Sequence, residues 1–457
     1  MVIEIQIIDD YSILLNPIRK SSSNQSENYF ELVDKNNKKW MLIKQQNSSF
    51  EVIEKDDEII ENDENIQTKL DNLFLEIIES EQSGTDGNGD FEVDISPFNP
   101  EDIKVHAKQF SLRLISDMIE DEDINLSPDF QRNFVWNSIQ KSRLIESILL
   151  RIPLPMFYFS EDNVGKITIV DGLQRLTTIK EFMDNKFPLR NLEYLEESCG
   201  GKYYFDSGKK KGLDPKYKRW FNQTQFSVNV IDPSSPPKVK YDIFRRINTG
   251  GKPLKNQEIR NCLSGSGLRD TLNEMVNLKE FKTATDYSIK SMRMEDQEVT
   301  LRFLYFYRLI ELDHNIDNYS GYMENALDNL TEELANSTKD SLSKYVSLFS
   351  NSMQNAEYLF GRKYAFRKVK PEDIYPNSYK QLINKALFVC WSVLLSEYDP
   401  VVIKNKNEPG LLLKPLAENI EDDFNLLNYL SYGTNGRNNL LYAFKSSYDL
   451  IKKHLNY

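Results

Sequence analysis

Apolar residues recur along this chain with two periods, and the change from one to the other divides it. Near the start the runs are short and alternating: Val2 to Ile8, Ser12 to Leu15, Tyr29 to Val33 and Trp40 to Lys44. Period-two alternation predicts strands, and the turn-rich Asp34-Lys35-Asn36-Asn37-Lys38 between the last two predicts a hairpin. After an acidic stretch from Glu51 to Glu64, Leu70, Leu73, Phe74, Ile77 and Ile78 fall at helical spacing within Asn65 to Glu81. Ser83-Gly84-Thr85-Asp86-Gly87-Asn88-Gly89 then reads as a linker.

A helix-like stretch begins at Phe110, and an amphipathic helix from Ser138 to Arg151 stops at Ile152-Pro153-Leu154-Pro155, because proline cannot continue it. Met156 to Phe159 and Lys166 to Val170 read as strands, and Phe226 to Ile231 as a third. Between them Leu173, Leu176, Ile179, Phe182 and Met183 mark a helix. Beyond Asn256 the period is helical to the end, in segments Gln297 to Leu312, Leu342 to Phe360, Ser378 to Ser396, Ile420 to Leu430 and Asn439 to Leu455. The expected fold class is α+β: residues 1–83 an acidic β-rich module with one helix, 84–96 a linker, 97–254 a mixed α/β core, and 255–457 an all-helical domain.

Composition narrows the function. Four hundred and fifty-seven residues suggest two or three domains, and 40% hydrophobic content with 12% aromatics marks a folded protein. A net charge of −13 argues against a protein that coats nucleic acid non-specifically, although it leaves room for a local basic groove. Cys199, Cys262 and Cys390 show no paired spacing, which fits a reducing compartment without a structural zinc site. No signal-peptide pattern and no long apolar window occur, so the expectation is a soluble, cytoplasmic protein without a membrane segment. Asp86, Asn88, Asp90 and Asp94 do not make a calcium loop, since Phe91 and Pro97 stand where that loop needs Gly and Glu.

Candidate chemistry concentrates in Lys166 to Asp184, where a strand meets Asp171-Gly172 and a helix opens. Asp171 is placed to cap that helix, and Gly172, Arg175, Thr177 and Thr178 lie where free N–H groups and the helix dipole favour an anion. The set reads as a phosphate clamp, or else Arg175 is a surface ion-pair partner. Leu126 to Trp136 is dense in aromatics around Gln131 and Arg132. Lys202 to Arg219 holds Lys209, Lys210, Lys211, Lys218 and Arg219 interleaved with Tyr and Phe, as a nucleic-acid edge or a solvated loop would. Asn248-Thr249-Gly250-Gly251-Lys252 offers N–H groups, a hydroxyl and a cation to phosphate, but not at Walker spacing.

Together PDFQRNFVWNSIQKSRLIESILLRIPLPMFYF, IVDGLQRLTTI and IFRRINTGGKPLKNQEIRN resemble domain-of-unknown-function family 262, in family order. RMEDQEVTLRFLYF and LFGRKYAFRK extend the likeness, which spans roughly Pro97 to Tyr457. That family includes the nucleotide-using N-terminal part of GmrSD-type modification-dependent restriction enzymes. The resemblance implies a ParB/sulfiredoxin-like fold and a DGQQR site that binds and hydrolyses a nucleoside triphosphate. Here the motif reads Asp171-Gly172-Leu173-Gln174-Arg175, with Leu173 in place of a glutamine. If that glutamine positions a water, hydrolysis is expected to be slow.

By the same resemblance Asp171, Gln174 and Arg175 are the catalytic candidates. Arg132, Gly172, Thr177, Thr178, Asn248, Thr249, Gly250, Lys252 and Arg260 are expected to hold phosphates, and Asp171 or Glu258 a magnesium ion. Glu258 and Arg260 equally fit a structural ion pair. The three segments are expected to converge on one hollow.

Larger relatives carry an HNH nuclease module. His106, His314 and His454 have no HNH-like setting, and Glu280-Phe281-Lys282 matches a PD-(D/E)xK nuclease only by accident within a helical run. The first expectation is an NTP-binding and hydrolysing module of a bacterial DNA-restriction or anti-phage system, acting on DNA with a separate nuclease and able to form homo-oligomers. The alternatives are a non-catalytic DNA-binding regulator of ParB-like fold, or a ParB-like nickase.

Overall fold

The structure is a computed structural model. It describes residues 3–8, 11–20, 29–34, 36, 38–46, 49–86, 103–126, 136–162, 165–235, 241, 243, 255–313, 316–375, 377–431 and 433–457. The fold is α+β, in two compact units: Met1–Ile95 with Gly265–Tyr457, and Ser96–Ser264.

In the first unit, strands β1 (Ile3–Ile7), β2 (Tyr11–Lys20), β3 (Tyr29–Val33), β4 (Lys39–Gln46) and β5 (Ser49–Lys55) form an antiparallel meander in chain order. The predicted hairpin is β3–β4, paired Phe30 to Ile43. Helix α1 (Asp63–Ser83) lays Ile66, Leu70, Leu73, Phe74 and Ile77 on the sheet, and edge-on rings of Phe30, Phe50 and Phe74 fill the interior.

The start of the expected linker is not free. Thr85 is buried and donates to the Glu295 carboxylate at 2.7 Å, while the Asp86 N–H donates to the Ile383 carbonyl at 2.9 Å. Asp86 also accepts from the Lys385 N–H at 3.1 Å and from the Asn384 amide, at the start of helix Lys385–Leu394. A Cβ on Gly84 would stand 1.7 Å from the Ser288 carbonyl oxygen, so only glycine fits there. Residues 87–96 lie outside the described residues.

Helices Glu295–Asp313, Lys339–Phe360, Lys385–Leu394 and Arg437–His454 share one apolar core built around Phe303, Phe349, Phe388 and Trp391. The helix expected over Ser378 to Ser396 begins only at Lys385, capped by Asn384. That expected over Ile420 to Leu430 is broken at Asp423, whose side chain caps Phe424–Tyr429. Among the described residues no helix is long and apolar enough to cross a membrane.

The second unit holds a mixed sheet in the order β6 (Val105–Ser111), β10 (Gln225–Ile231), β8 (Phe157–Glu161), β9 (Ile167–Asp171), β7 (Ile124–Asn125). β6 is antiparallel to β10, β10 parallel to β8, β8 antiparallel to β9, and β9 parallel to β7. The stretch expected to be helical from Phe110 changes over at Ser111, which ends β6 and caps α2 (Leu112–Glu120).

Alternation along the strands gives the sheet two apolar faces. Ile167, Ile169, Val228 and Val230 face α3 (Ser138–Leu149) and α4 (Leu173–Met183). Val170 and Ile231 meet Ile259 and Cys262 of α7 (Asn256–Leu263) on the other face. That helix, assigned from the sequence to the all-helical domain, therefore packs with the mixed sheet.

Candidate functional site at the β9–α4 turn

The site grows from one register change. Tyr158 of β8 pairs with Asp171, but its neighbour Phe159 pairs with Ile169, so β9 carries an extra residue at its end. Such a bulge bends a strand and re-aims the next side chain. Gly172 follows at φ 99°, in the left-handed region, and its carbonyl accepts the Leu176 N–H at 2.9 Å to start α4. A Cβ on Gly172 would sit 2.2 Å from Phe157 Cδ1, so the turn lies flat on that ring.

Asp171 does not cap α4 as its position in the sequence suggests. Its Oδ2 accepts from Arg175 Nη2 at 2.7 Å, one helical turn on, and the helix start has no side-chain cap. The Arg175 guanidinium also donates to the Pro155 carbonyl through Nη1 and to the Met156 carbonyl through Nη2 at 3.2 Å, and lies 4.1 Å above the Phe157 ring. Its side chain is only 11% exposed. Burial pulls the guanidinium below its ordinary pKa, against the opposing pull of Asp171. The pair is thus no open surface ion pair: it ties the strand end, the Pro153–Met156 segment and the first turn of α4 together.

The other candidates divide. Thr178 is 1% exposed and belongs to the interior, and Thr177 and Gln174 are half-buried, with Gln174 engaged. Leu173, standing at the family's glutamine position, is buried in the core between α4 and the sheet. Glu258 accepts the Lys255 N–H at 2.7 Å, fastening the first turn of α7. Arg260 is 1% exposed and makes a long contact, 3.4 Å, with the Gln257 side-chain oxygen. Both sit on a helix against the sheet face away from α4. The structure brings together Asp171, Gly172 and Arg175, with Phe157, Pro155 and Met156, which sequence reasoning missed because their contribution is a ring face and two carbonyls. Arg132, Asn248, Thr249, Gly250 and Lys252 lie outside the described residues.

The basic stretch is ordered. Asn185 clamps it, donating to the Phe205 carbonyl at 2.8 Å and accepting the Phe205 N–H at 3.0 Å. Lys210 donates to the Asn185 carbonyl at 3.0 Å, and Lys218 of α6 (Pro215–Gln223) stands 4.8 Å over the Tyr204 ring. Lys209, Lys211 and Arg219 are exposed. Among the described residues no group of three or more His, Cys, Asp or Glu is placed to hold a metal.

Comparison with curated proteins gives no match. Residues 115–264 match the family model described as GmrSD restriction endonuclease, N-terminal domain, a span that lies inside the mixed unit and ends at the same residue. That span contains the Asp171–Arg175 turn, the basic stretch and α7, so the candidate site lies within the segment of this chain that is similar to the GmrSD restriction endonuclease N-terminal domain.

Proposed function

We propose that the mixed unit binds a nucleoside triphosphate with magnesium at the β9–α4 turn, hydrolyses it, and serves a DNA-restriction or anti-phage system with a separate effector nuclease. The observation that carries this reading is the fixed Asp171–Gly172–Arg175 turn at an uncapped helix start, within the matched family segment. A helix start presents N–H groups and a positive dipole end to phosphate oxygens. Arg175 engages Oδ2 of Asp171, which leaves the carboxylate's second oxygen as the ligand this reading assigns to the cation. A magnesium ion held there by Asp171 and by phosphate oxygens would supply charge neutralisation during phosphoryl transfer. Gln174, next to the turn, orients the attacking water, and Leu173, buried in the core, cannot help it. Turnover is therefore slow.

The test is full-length protein with ATP, GTP or CTP and magnesium, following binding by calorimetry and phosphate release. Binding with release that disappears in Asp171→Ala supports the reading. Binding without release favours a regulator that senses nucleotide without turnover, for which the buried Leu173 speaks. No affinity for any of the three nucleotides overturns the proposal.

A further inference from the structure

In a chain of net charge −13, residues 202–219 carry seven Lys or Arg against two acidic residues. Both acids are engaged inside the stretch: Asp206 accepts the Gly212 N–H at 2.9 Å, and Asp214 pairs with Lys202 at 3.0 Å. The turn is held in shape. Ser207 and Lys210 exchange backbone hydrogen bonds at 3.1 and 2.9 Å, Gly208 takes φ 56° at the tip, and Tyr203 bonds across to Lys211 and Leu213. Asn185, itself at φ 60°, fastens the turn to the end of α4 through both edges of its amide. A loop that was only solvated charge would have no reason to be fixed on all these sides.

The aromatic residues have a different part from the one their interleaving suggests. Cations stand over them: Lys218 over Tyr204, Lys210 over Tyr203, Lys216 and Arg151 over Trp220, with Lys218 also 5.9 Å from the exposed Phe205 ring. A ring face already engaged by a cation is a poorer platform for a base to stack on. These rings hold the ammonium and guanidinium groups in place instead. What is left facing out is a fixed array of cations, with Lys209 and Lys211 at the tip and Arg219 on α6, none of them ion-paired among the described residues.

We propose that this clamped turn and α6 form a nucleic-acid backbone contact, in which Lys209, Lys211 and Arg219 meet phosphates and no base is read. A rigid array of unpaired cations fits the regularly spaced charges of a duplex backbone, and it binds without sequence preference because phosphates are the same in every sequence. The proposal deepens the DNA arm of the functional reading and is independent of nucleotide turnover.

The experiment is fluorescence anisotropy of the full-length protein with a labelled random-sequence 30-base-pair duplex, titrated across salt. In wild type, log affinity falls linearly with log salt. The double variant Lys209→Gln, Lys211→Gln weakens all duplex sequences alike and lowers the magnitude of the salt slope by about two, close to one per lost phosphate contact. Asn185→Ala, which unclamps the turn without changing charge, also weakens binding. Nucleotide affinity is measured in parallel and stays at the wild-type value in the lysine variant, so failure here and failure at the β9–α4 turn are separable. Unchanged affinity and slope in the lysine variant overturn the proposal. So does a wild-type protein that ignores duplex at low salt, or one whose cationic turn captures only an acidic protein.

Discussion

Arg175→Ala is the sharpest test of how the β9–α4 turn is built. The guanidinium holds Asp171 at 2.7 Å, the Pro155 and Met156 carbonyls, and the face of Phe157 at 4.1 Å. A hydrogen bond to a charged group contributes about 1.5–3 kcal/mol, and a desolvated cation–π contact about 2 kcal/mol. Burying the guanidinium costs part of this, as its lowered pKa shows, which leaves a net of about 3 kcal/mol. The loss is local, so the suitable assay is hydrogen exchange read on peptides covering residues 153–183 of the intact protein. At about 1.4 kcal/mol per tenfold, exchange there quickens by about 100-fold, with peptides of the meander unchanged. Arg175→Lys, which cannot reach three acceptors at once, falls between. Wild-type exchange at 153–183 together with lost nucleotide affinity would refute the reasoning and show that the guanidinium spends its charge on the ligand instead.

Three further outcomes follow from particular contacts. Gly172→Ala forces a left-handed residue and drives a methyl into Phe157, costing about 2–4 kcal/mol, visible as a lower melting temperature; an unchanged melt would contradict the 2.2 Å approach. Glu146 is buried on α3 and accepts the N–H groups of Glu193, Tyr194 and Leu195 at 2.9, 2.7 and 2.9 Å. Burial raises its pKa, but the three N–H donors outweigh that and hold it below the ordinary carboxylate value. Because the folded value lies below the unfolded one, this stabilisation is complete above about pH 5 and fades as pH falls through the folded value. Glu146→Gln should cost about 2 kcal/mol near neutrality and almost nothing in acid, checked by urea melts at several pH values. Asp86→Ala removes the carboxylate whose charge acts on Lys368 and the acceptor at the start of helix Lys385–Leu394, lowering stability of the first unit by about 2 kcal/mol. A truly free linker would tolerate that change, as a melt of the variant would reveal.

Periodicity was enough for every element that buries one continuous stripe. Strands β1 to β4, α1, α3, α4 and the helices Glu295–Asp313, Lys339–Phe360 and Arg437–His454 have it, because a stripe of apolar side chains must face a core, whereas β5 lies in what reads as an acidic stretch and buries no such stripe. β6 was not legible: His106, Lys108 and Gln109 give an edge strand no apolar signal, and only the ladder to β10 makes it a strand. Gly84 to Asp86 has linker composition, and what fixes it is a set of partners about 200 to 300 residues away in sequence.

For the site, the sequence by itself determined that Asp171, Gly172 and Arg175 stand at a strand-to-helix turn, because four-residue spacing and a glycine are local properties. Only tertiary structure decided what they do there. The Phe157 ring comes from the neighbouring strand and the Pro155 and Met156 carbonyls from the segment that leads into it, and they turn Asp171 away from capping and Arg175 into a buried tie. The cations of residues 202–219 follow the same division. Their number is written in the chain, but their arrangement rests on Asn185, which no local pattern connects to them. Local spacing fixes which groups are near in sequence; the desolvated partners that set their charge and direction arrive only when distant strands and helices pack.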